Sequence, residues 1–515
     1  MKISLKFIIF LIILFVSLFS FNQYFPYEFF TINYDQLIRG IYTAGSILFT
    51  LSAIFVGFII FLENRNPSRT VSWLMILSAI PVLGFLLYIL VGQNFRKKRK
   101  FSKKYQLADE TYKSLATAVD NWYVPKQWLE IKQPLLYKLA HRLTYSPISF
   151  NTHTKILTDG ESTFREIIQE LQNAKHTIHL EYYIVRDDEL GRKIADILIE
   201  KARQGLTVRF LYDAVGSFQL SDEYVCNLKN AGVSVYAFSP VRFPILNDKV
   251  NYRNHRKIIV VDDSIGFMGG LNIGDEYLGK NEYFGYWRDT HLKLVGEAVS
   301  MLQAIFIQDW FFVTGISIPL QFEDIAPPAL DEKLGGVQLI AGGPDTKWEV
   351  IKNLYFAMIV GAKKSIWIAS PYFIPDEDIV SALKVAALSG IDVRILQPAK
   401  PDKYVVFYAS RSFFPDLLDA GVKIYQYNKG FLHSKIVIVD GKVASIGTAN
   451  MDMRSFHLNF EVNAFLYDTA SIESLTDDFL NDIFESDKID KSEFKRRHWK
   501  YRFYESLCRL LSPLL

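Results

Sequence analysis

Two eighteen-residue stretches of this chain carry the same set of side chains that can act on a phosphate group. The second reads HSKIVIVDGKVASIGTAN and places His433 two residues before Lys435, at the head of an apolar, β-branched run. Side chains alternate along a strand, so this histidine and lysine share one face. The first stretch, HRKIIVVDDSIGFMGGLN, repeats the pattern with His255 and Lys257. One His-x-Lys pair more often marks a half-buried strand with a polar edge, but two aligned copies indicate a duplicated half of an active site.

Brought together, the two copies would surround one phosphate with two imidazoles, two ammonium groups and two amides. The groups expected to hold its non-bridging oxygens, and to stabilise charge that grows on a pentacoordinate phosphorus, are Lys257, Lys435, Asn272 and Asn450. One imidazole would attack phosphorus, and the other, protonated, would give its proton to the leaving alkoxide. The two copies are locally equivalent, so the sequence does not order them. We expect no metal ion and no other cofactor, because the remaining histidines are scattered.

Four acidic residues accompany the two copies. Asp262 and Asp440 end the apolar runs, and although they belong to the repeated pattern we interpret them as structural, bonding the backbone of a turn. Glu461 and Asp289 follow the second and first copies, and they are the candidates for the acidic partner that fixes the tautomer of each imidazole.

Both copies match in full the HKD motif of the phospholipase D superfamily, His-x-Lys-(x)4-Asp-(x)6-Gly-(Gly/Ser/Thr)-x-Asn. The flanking segments GGLNIGDEYLG, YWRDTHLKLVG and NMDMRSFHLNFEVN narrow the resemblance further, as does a hydrophobic hairpin near the N-terminus. From about residue 40 to its end, the chain resembles the bacterial cardiolipin synthases. The resemblance implies that His255 is the nucleophile and His433 the general acid, since the first histidine usually attacks in this superfamily. It also implies that phosphatidylglycerol is the substrate, within a membrane of other lipids.

The net charge of +3 hides an asymmetry along the chain. Residues 1–104 carry a net charge of +9, whereas the remaining 411 residues carry −6. The basic excess therefore lies beside the hydrophobic segments, where anionic lipid head groups would be. An enzyme acting on nucleic acid should instead carry it on the catalytic domain, so we expect no nucleic-acid partner. Two cysteines in unrelated contexts favour a reducing compartment.

The N-terminal region predicts attachment to a membrane. Residues 40–62 and 70–92 are each long and uncharged enough to span a bilayer, and the short loop between them makes a hairpin. Seven positive charges at 96–104 place the following residues in the cytoplasm by the positive-inside rule. The apolar run at 7–21 is short for a span, and it is either an extra anchor, a signal peptide or an interfacial segment.

The rest of the chain alternates strand and helix patterns, and its duplication recurs outside the motifs. GLTVRFLYD at 205–213 pairs with GIDVRILQP at 390–398, for example. We therefore predict an α/β fold: a duplicated phospholipase D-like α-β-α sandwich that forms one bilobal catalytic unit behind the transmembrane hairpin. The predicted segments are 1–39 (N-terminal segment), 40–104 (hairpin with basic flank), 105–150 (connector with a helix at 135–143), 151–318 (first half), 319–347 (linker), 348–490 (second half) and 491–515 (amphipathic segment).

The resemblance to the cardiolipin synthases, together with the membrane segments, implies a membrane-bound phosphatidyltransferase that condenses two phosphatidylglycerol molecules into cardiolipin and glycerol. A hydrolytic phospholipase D would use the same residues with water as the acceptor. A nuclease is disfavoured by the charge distribution, and a non-catalytic scaffold by the presence of both histidines and both lysines. The C-terminal segment 491–515 fits two alternatives equally well: a helix lying at the membrane interface, or one packed back on the catalytic unit. The sequence predicts no oligomeric state.

Overall fold

The computed structural model describes residues 134–240, 252–320, 335–346 and 348–512, together with the helix Pro67–Ala79 and single residues between 39 and 61. The chain divides into two compact units, 1–92 and 93–515. In the first unit the structure describes α1, Pro67–Ala79, which overlaps the second predicted span. None of the helices among the described residues is both long and apolar enough to cross a bilayer. Most of the predicted hairpin, the run at 7–21 and the basic stretch at 96–104 lie outside the described residues.

The second unit begins, among the described residues, with α2, Pro134–Thr144, where the sequence predicts a helix. The first half follows. Its elements in chain order are β1 Thr152–Asp159, α3 Gly160–Asn173, β2 Thr177–Tyr182, α4 Glu189–Arg203, β3 Thr207–Asp213, α5 Asp222–Asn230, β4 Ser234–Phe238, β5 Ile258–Val261, β6 Ile265–Gly269, a 3-10 turn Asp275–Leu278, β7 Tyr286–Gly296 and α6 Ala298–Thr314.

The second half repeats this series. Its elements are β8 Gly336–Gly342, α7 Val350–Gly361, β9 Ser365–Ala369, β10 Phe373–Ile374, α8 Glu377–Leu388, β11 Asp392–Pro398, α9 Tyr404–Arg411, α10 Phe414–Asp419, β12 Lys423–Tyr427, β13 Gly430–Leu432, β14 Ile436–Val439, β15 Val443–Gly447, β16 Met451–Asp452, α11 Met453–His457, β17 Glu461–Tyr467, α12 Ala470–Phe484 and β18 Ser486–Lys488. Two helices end the described chain, α13 Lys491–Lys495 and α14 Trp499–Arg509.

Two large mixed sheets show the duplication in their strand order. The first runs β1-β7-β6-β5-β2-β3-β4, and the second runs β8-β17-β15-β14-β9-β11-β12-β18. Each strand of the first sheet thus has a counterpart at the same place in the second. In both sheets the central strands bury both faces: Ile258–Val261 and Ile436–Val439 are buried at every position. This explains why their sequences are continuous apolar runs.

The hydrophobic core has three large parts. One lies on the outer face of each sheet, and a third joins residues from β5 and β7 with residues from β14, β15 and β17. Helices α6 and α12 contribute to this shared part through Leu302 and Leu475, which are fully buried. The two halves therefore fold against one another and form one compact unit.

Two features differ from the segment boundaries expected from the sequence. The strand Gly336–Gly342 lies within the segment interpreted as a linker, and it pairs along its whole length with β17. Its apolar residues are buried, which outweighs the glycines at its ends. In addition, β13 belongs to the second half in sequence but pairs with β7 of the first sheet. This exchange brings the second motif onto the first half.

The C-terminal segment packs on the catalytic unit rather than standing apart from it. Glu505 of α14 accepts hydrogen bonds from Arg411 at the end of α9. The guanidinium of Arg509 lies 4.6 Å from the ring of Phe413. The structure thus shows the packing that one alternative predicts, through one side of α14, and its opposite side is exposed.

Candidate active site

Backbone hydrogen bonds between the halves fix the position of each motif histidine. The backbone N–H of His255 donates to Phe460 O (2.9 Å), and that of His433 donates to Arg288 O (2.7 Å). The residues that follow these two carbonyl groups in sequence are Glu461 and Asp289. The segment before each histidine is therefore tied to the strand of the other half that carries a carboxylate.

The two carboxylates pair with the histidines across the halves. His255 Nδ1 lies 2.9 Å from Glu461 Oε2, and His433 Nδ1 lies 2.7 Å from Asp289 Oδ2. Both carboxylates are fully buried. A carboxylate at Nδ1 accepts a hydrogen bond from the N–H there, so the neutral ring has no proton on Nε2, which is the tautomer control that the sequence predicts. It comes in each case from the opposite half.

Burial sets the protonation of the two imidazoles. It lowers the pKa of His255 to about 4 and that of His433 to about 3. The charge of Lys257 lowers the pKa of His255 further, and the charge of Lys435 does the same for His433. Burial alone would raise the pKa values of the carboxylates. Interactions with His255, which include a hydrogen bond, and the charge of Lys257 nevertheless hold the pKa of Glu461 below its ordinary value. The charge of Lys435 and the hydrogen bond from His433 do the same for Asp289. The site therefore keeps ionised carboxylates beside neutral imidazoles.

The two lysines lie under the histidines and are almost completely buried. Lys257 Nζ donates to His255 O (2.6 Å), and Lys435 Nζ donates to His433 O. Burial lowers the pKa of Lys257 to about 7 and that of Lys435 to about 8. A phosphate placed between them would offset this cost, because an anion stabilises the charged form of both groups.

Asp262 and Asp440 lie away from this cluster, at the far ends of β5 and β14. Each carboxylate accepts three backbone N–H bonds, Asp262 from Lys175, His176 and Thr177, and Asp440 from Lys363, Lys364 and Ser365. Both residues have positive φ, 48° and 56°, as a turn that reverses the strand direction requires. They fasten β5 and β14 to β2 and β9.

The two asparagines differ in their surroundings. Asn272 Oδ1 accepts from Ile184 N (3.1 Å), and its Nδ2 donates to Tyr277 Oη (3.1 Å). Asn450 is also buried, but no hydrogen-bond partner of its Oδ1 lies among the described residues. The amide of Asn272 is thus bonded on both sides within the protein, whereas Asn450 Oδ1 is available to accept a hydrogen bond.

The structure adds residues that sequence reasoning did not single out. The ring of Tyr183 meets His255 edge-on with centroids 4.9 Å apart, and it lies 5.3 Å from Lys257 Nζ. Around His433, the rings of Trp287 and Phe431 are 5.2 Å and 6.0 Å away. Tyr183 directly follows β2, but nothing in the sequence indicates its contact with a histidine.

Two further residues support Glu461. The hydroxyl of Thr448 donates to its Oε2 (2.5 Å) and the amide of Asn459 donates to its Oε1 (3.1 Å). Thr448 occupies the variable position of the motif, where the first half has Gly270. A Cβ at Gly270 would lie 2.0 Å from Asp289 Oδ1, so the first half requires glycine there. The residue at the variable position thus suits the acid beside it: threonine bonds Glu461, and glycine leaves room for Asp289.

Chemically, the site offers two nucleophilic or basic nitrogens and two cations around one volume. This arrangement can bind a phosphodiester, form a phosphohistidine on one ring and move a proton at the other. Each histidine is paired with a carboxylate from the other half, so neither half holds a complete site.

Comparisons with known proteins identify the family. The family described as "Cardiolipin synthase, PLD-like domain" matches residues 167–310 and 355–483, and "Phospholipase_D-nuclease N-terminal" matches residues 50–93. "Cardiolipin synthase 2" of Bacillus cereus is 62% identical over 474 residues, covering 91% of both chains. "Cardiolipin synthase" of Geobacillus sp. (strain WCH70) is 56% identical over 516 residues and covers 100% of both chains.

Among solved structures, the phosphatidylserine synthase of Haemophilus influenzae Rd KW20 superposes with a TM-score of 0.55 at 15% sequence identity. The match covers 74% of this chain and 100% of that one, and it supports the fold alone. The sequence identities and the matched domain carry the assignment further: the chain belongs to the cardiolipin synthase family, whose members contain phospholipase D-like domains.

Proposed function

We propose that this protein is a phosphatidyltransferase that converts two phosphatidylglycerol molecules into cardiolipin and glycerol. The observation that supports it most directly is the crossed pairing of His255 with Glu461 and of His433 with Asp289. It makes one site from two halves, with the second histidine needed to complete a double displacement. Membership of the cardiolipin synthase family supports the choice of substrate.

In the first step, Nε2 of one histidine attacks the phosphorus of phosphatidylglycerol and forms a P–N bond. The P–O bond to glycerol breaks, and the second histidine donates its proton to the departing oxygen. The resemblance to the superfamily assigns the attack to His255 and the proton transfer to His433. Lys257 and Lys435 stabilise the negative charge on the phosphoryl oxygens, and Asn272 and Asn450 remain candidates to assist them.

In the second step, the terminal hydroxyl of another phosphatidylglycerol attacks the phosphohistidine. The second histidine, now neutral, takes the hydroxyl proton, the P–N bond breaks and cardiolipin leaves. A histidine that donates a proton first must be cationic, although burial keeps its pKa low in the protein alone. The anionic phosphodiester raises that pKa when it enters, so binding of the substrate supplies the proton-carrying form.

The test is product analysis with the purified full chain and labelled phosphatidylglycerol in detergent. Cardiolipin and glycerol in equal amounts are expected. Phosphatidic acid as the only lipid product would identify a hydrolase and overturn the proposal. The variant His176→Ala, which removes an exposed histidine of the first half, is the matched control and should retain full activity.

We also propose that residues 40–62 and 70–92 form a transmembrane hairpin and that the catalytic unit lies in the cytoplasm. The match of residues 50–93 to an N-terminal family model and the seven charges at 96–104 support this topology. A cysteine at Ser102, with Cys226 and Cys508 replaced, should resist an impermeant thiol reagent on intact cells. Rapid labelling of this cysteine would indicate that residues 96–104 lie outside the cell and would overturn the proposed topology.

A further inference from the structure

The last helix of the described chain, α14, is packed with its polar side inward. Among its residues only Glu505 is buried. Its large apolar side chains are exposed: Trp499 by 65%, Phe503 by 58% and Leu507 by 50%. A helix that packs on a core for its own stability normally buries its apolar face instead.

Charged groups hold α14 in place. The Glu505 carboxylate accepts from Arg497 Nε (2.9 Å) and from Arg411 Nε (3.3 Å), which lies at the end of α9. The Arg497 guanidinium stacks on Phe494 at 4.1 Å, and Arg509 donates to Ser412 O (3.2 Å). These contacts position the helix without burying its aromatic residues, which remain exposed to solvent.

The exposed aromatic surface continues from α14 onto α9. Tyr504 and Tyr408 lie with ring centroids 5.8 Å apart, and at the start of α9 Tyr404 is 66% exposed. Asp402, two residues before Tyr404, accepts a hydrogen bond from the hydroxyl of Tyr372 and acts electrostatically on Lys435. This surface therefore begins beside the candidate active site.

The charge around these residues identifies what they would contact. Residues 494–512 contain six lysines and arginines and one acid, Glu505, which is already paired. Lys500 and Arg502 are exposed between the aromatic residues of the helix. Basic residues mixed with tryptophan, phenylalanine and leucine are typical of helices that lie in the head-group region of anionic membranes. A second copy of this chain would bring like charges together on the same surface.

We propose that the exposed face of α14, together with Tyr404 and Val405 of α9, docks the catalytic unit on an anionic lipid bilayer. Aromatic side chains enter the head-group region, and Lys500 and Arg502 contact the lipid phosphates. The docked unit turns the region around Asp402 and Tyr372 toward the bilayer. The expected N-terminal anchor would keep the catalytic unit close to the bilayer, and this contact would also fix the orientation of the unit relative to the bilayer surface.

The direct test places a label on this face of the full chain. With Cys226 and Cys508 changed to serine, Phe503→Cys carries an environment-sensitive fluorophore, and Lys229→Cys, exposed on α5 of the first half, is the matched control. Both are reconstituted in phosphatidylglycerol-containing vesicles with nitroxide-labelled lipid. We expect quenching at 503 and little at 229, with weaker quenching in pure phosphatidylcholine. Equal exposure at both positions, or a label already shielded in detergent by self-association, would overturn the proposal.

A kinetic test separates docking from the chemistry. The variant Trp499→Ser/Lys500→Gln/Arg502→Gln should raise KM for vesicle phosphatidylglycerol roughly tenfold and leave kcat unchanged. Its rate on a soluble p-nitrophenyl phosphodiester should equal that of the parent. An unchanged KM would count against docking, whereas a parent enzyme that makes no cardiolipin would count against the proposed function and leave the quenching result standing.

Discussion

The two halves of the catalytic unit share their strand order and their reactive groups, yet they surround the two histidines differently. His255 faces the ring of Tyr183, whereas His433 lies among Trp287 and Phe431. The acid of one half is supported by Thr448, and the acid of the other requires Gly270. Duplication has preserved the histidine, lysine and asparagine of the motif at both places. The packing that holds them has diverged.

The residue between the histidine and lysine shows the same divergence. Arg256 pairs with buried Asp309 and donates to Glu461 O (3.1 Å) across the halves. Its counterpart Ser434 instead bonds Thr290 (3.0 Å), and the long connection there is made by Arg288, which reaches Asp482 (2.9 Å). Arg256 and Arg288 thus make comparable buried connections, but they come from different positions of the two halves. Mutations of the shared motif residues should therefore have similar effects in the two halves, whereas mutations of the residues that support them should have different effects.

The largest effects are expected from the histidines. His255→Ala and His433→Ala should each abolish turnover, since one removes the nucleophile and the other the acid of a shared site. Where the nucleophile is removed, the loss should exceed the ~10²–10⁴ that one general acid contributes. A p-nitrophenyl phosphodiester needs no proton on its leaving group. His433→Ala should therefore accumulate a covalent adduct detectable by intact-protein mass spectrometry, and His255→Ala should not.

The control for these variants is again His176→Ala. If the adduct forms in His255→Ala instead, the order of the two histidines is reversed. Substantial activity in either variant would mean that the halves act separately, and the shared site would have to be abandoned.

The next largest effects concern the lysines. Lys257→Met and Lys435→Met should each lower kcat by about 10²–10³, the loss expected when one group that stabilises transition-state charge is removed. The exposed Lys175→Met is the matched control. Steady-state kinetics at neutral pH suffice, and a loss confined to one lysine would show that the phosphate is held by one half.

The lysines also predict a pH dependence that differs between the halves. Each must be charged to bind phosphate, and Lys257, with its pKa lowered to about 7 by burial, loses its proton before Lys435 as the pH rises. Activity measured as kcat/KM, which reports on free enzyme, should fall above about pH 7. In Lys257→Arg, the guanidinium stays charged, so this alkaline limb should move upward. An unchanged limb would assign it to another group.

The carboxylates should give smaller and unequal losses. In Glu461→Gln, Thr448 and Asn459 still orient the side chain, and we expect kcat to fall by about 10². Asp289 accepts from the N–H of its own neighbour Thr290, so Asp289→Asn should lose its orientation more completely, by about 10³. Equal losses would indicate that the supporting bonds do not matter.

The sequence predicted most of the side chains that the structure brings together in the candidate site, because they lie in a spaced, repeated motif. It also predicted the alternation of strands and helices and the helix Pro134–Thr144. It did not predict which acid pairs with which histidine, since that depends on backbone bonds between residues about two hundred positions apart, such as His255 to Phe460. The strand Gly336–Gly342 was hidden for a similar reason: its stability comes from pairing with β17.

A final difference between the halves concerns two buried residues at the same place in their sheets, and it should affect stability, with little effect on turnover. Asn463 donates to Tyr355 Oη (2.9 Å) and Ser445 Oγ (3.0 Å). Its counterpart His291 is completely buried, and neither ring nitrogen has a hydrogen-bond partner among the described residues. Burial lowers the pKa of His291 to about 4.

Between pH 6.5 and 4, the unfolded chain therefore binds a proton at this residue that the folded chain does not, and stability falls as the pH is lowered. At pH 5 this costs about 2 kcal/mol, which His291→Leu should recover. The midpoint of thermal unfolding should thus drop less in His291→Leu than in the parent between pH 7 and pH 5. Asn463→Leu should instead be destabilised equally at both pH values, because it loses hydrogen bonds that do not titrate. Parallel pH curves for the parent and His291→Leu would show that this histidine does not contribute to the pH dependence of folding.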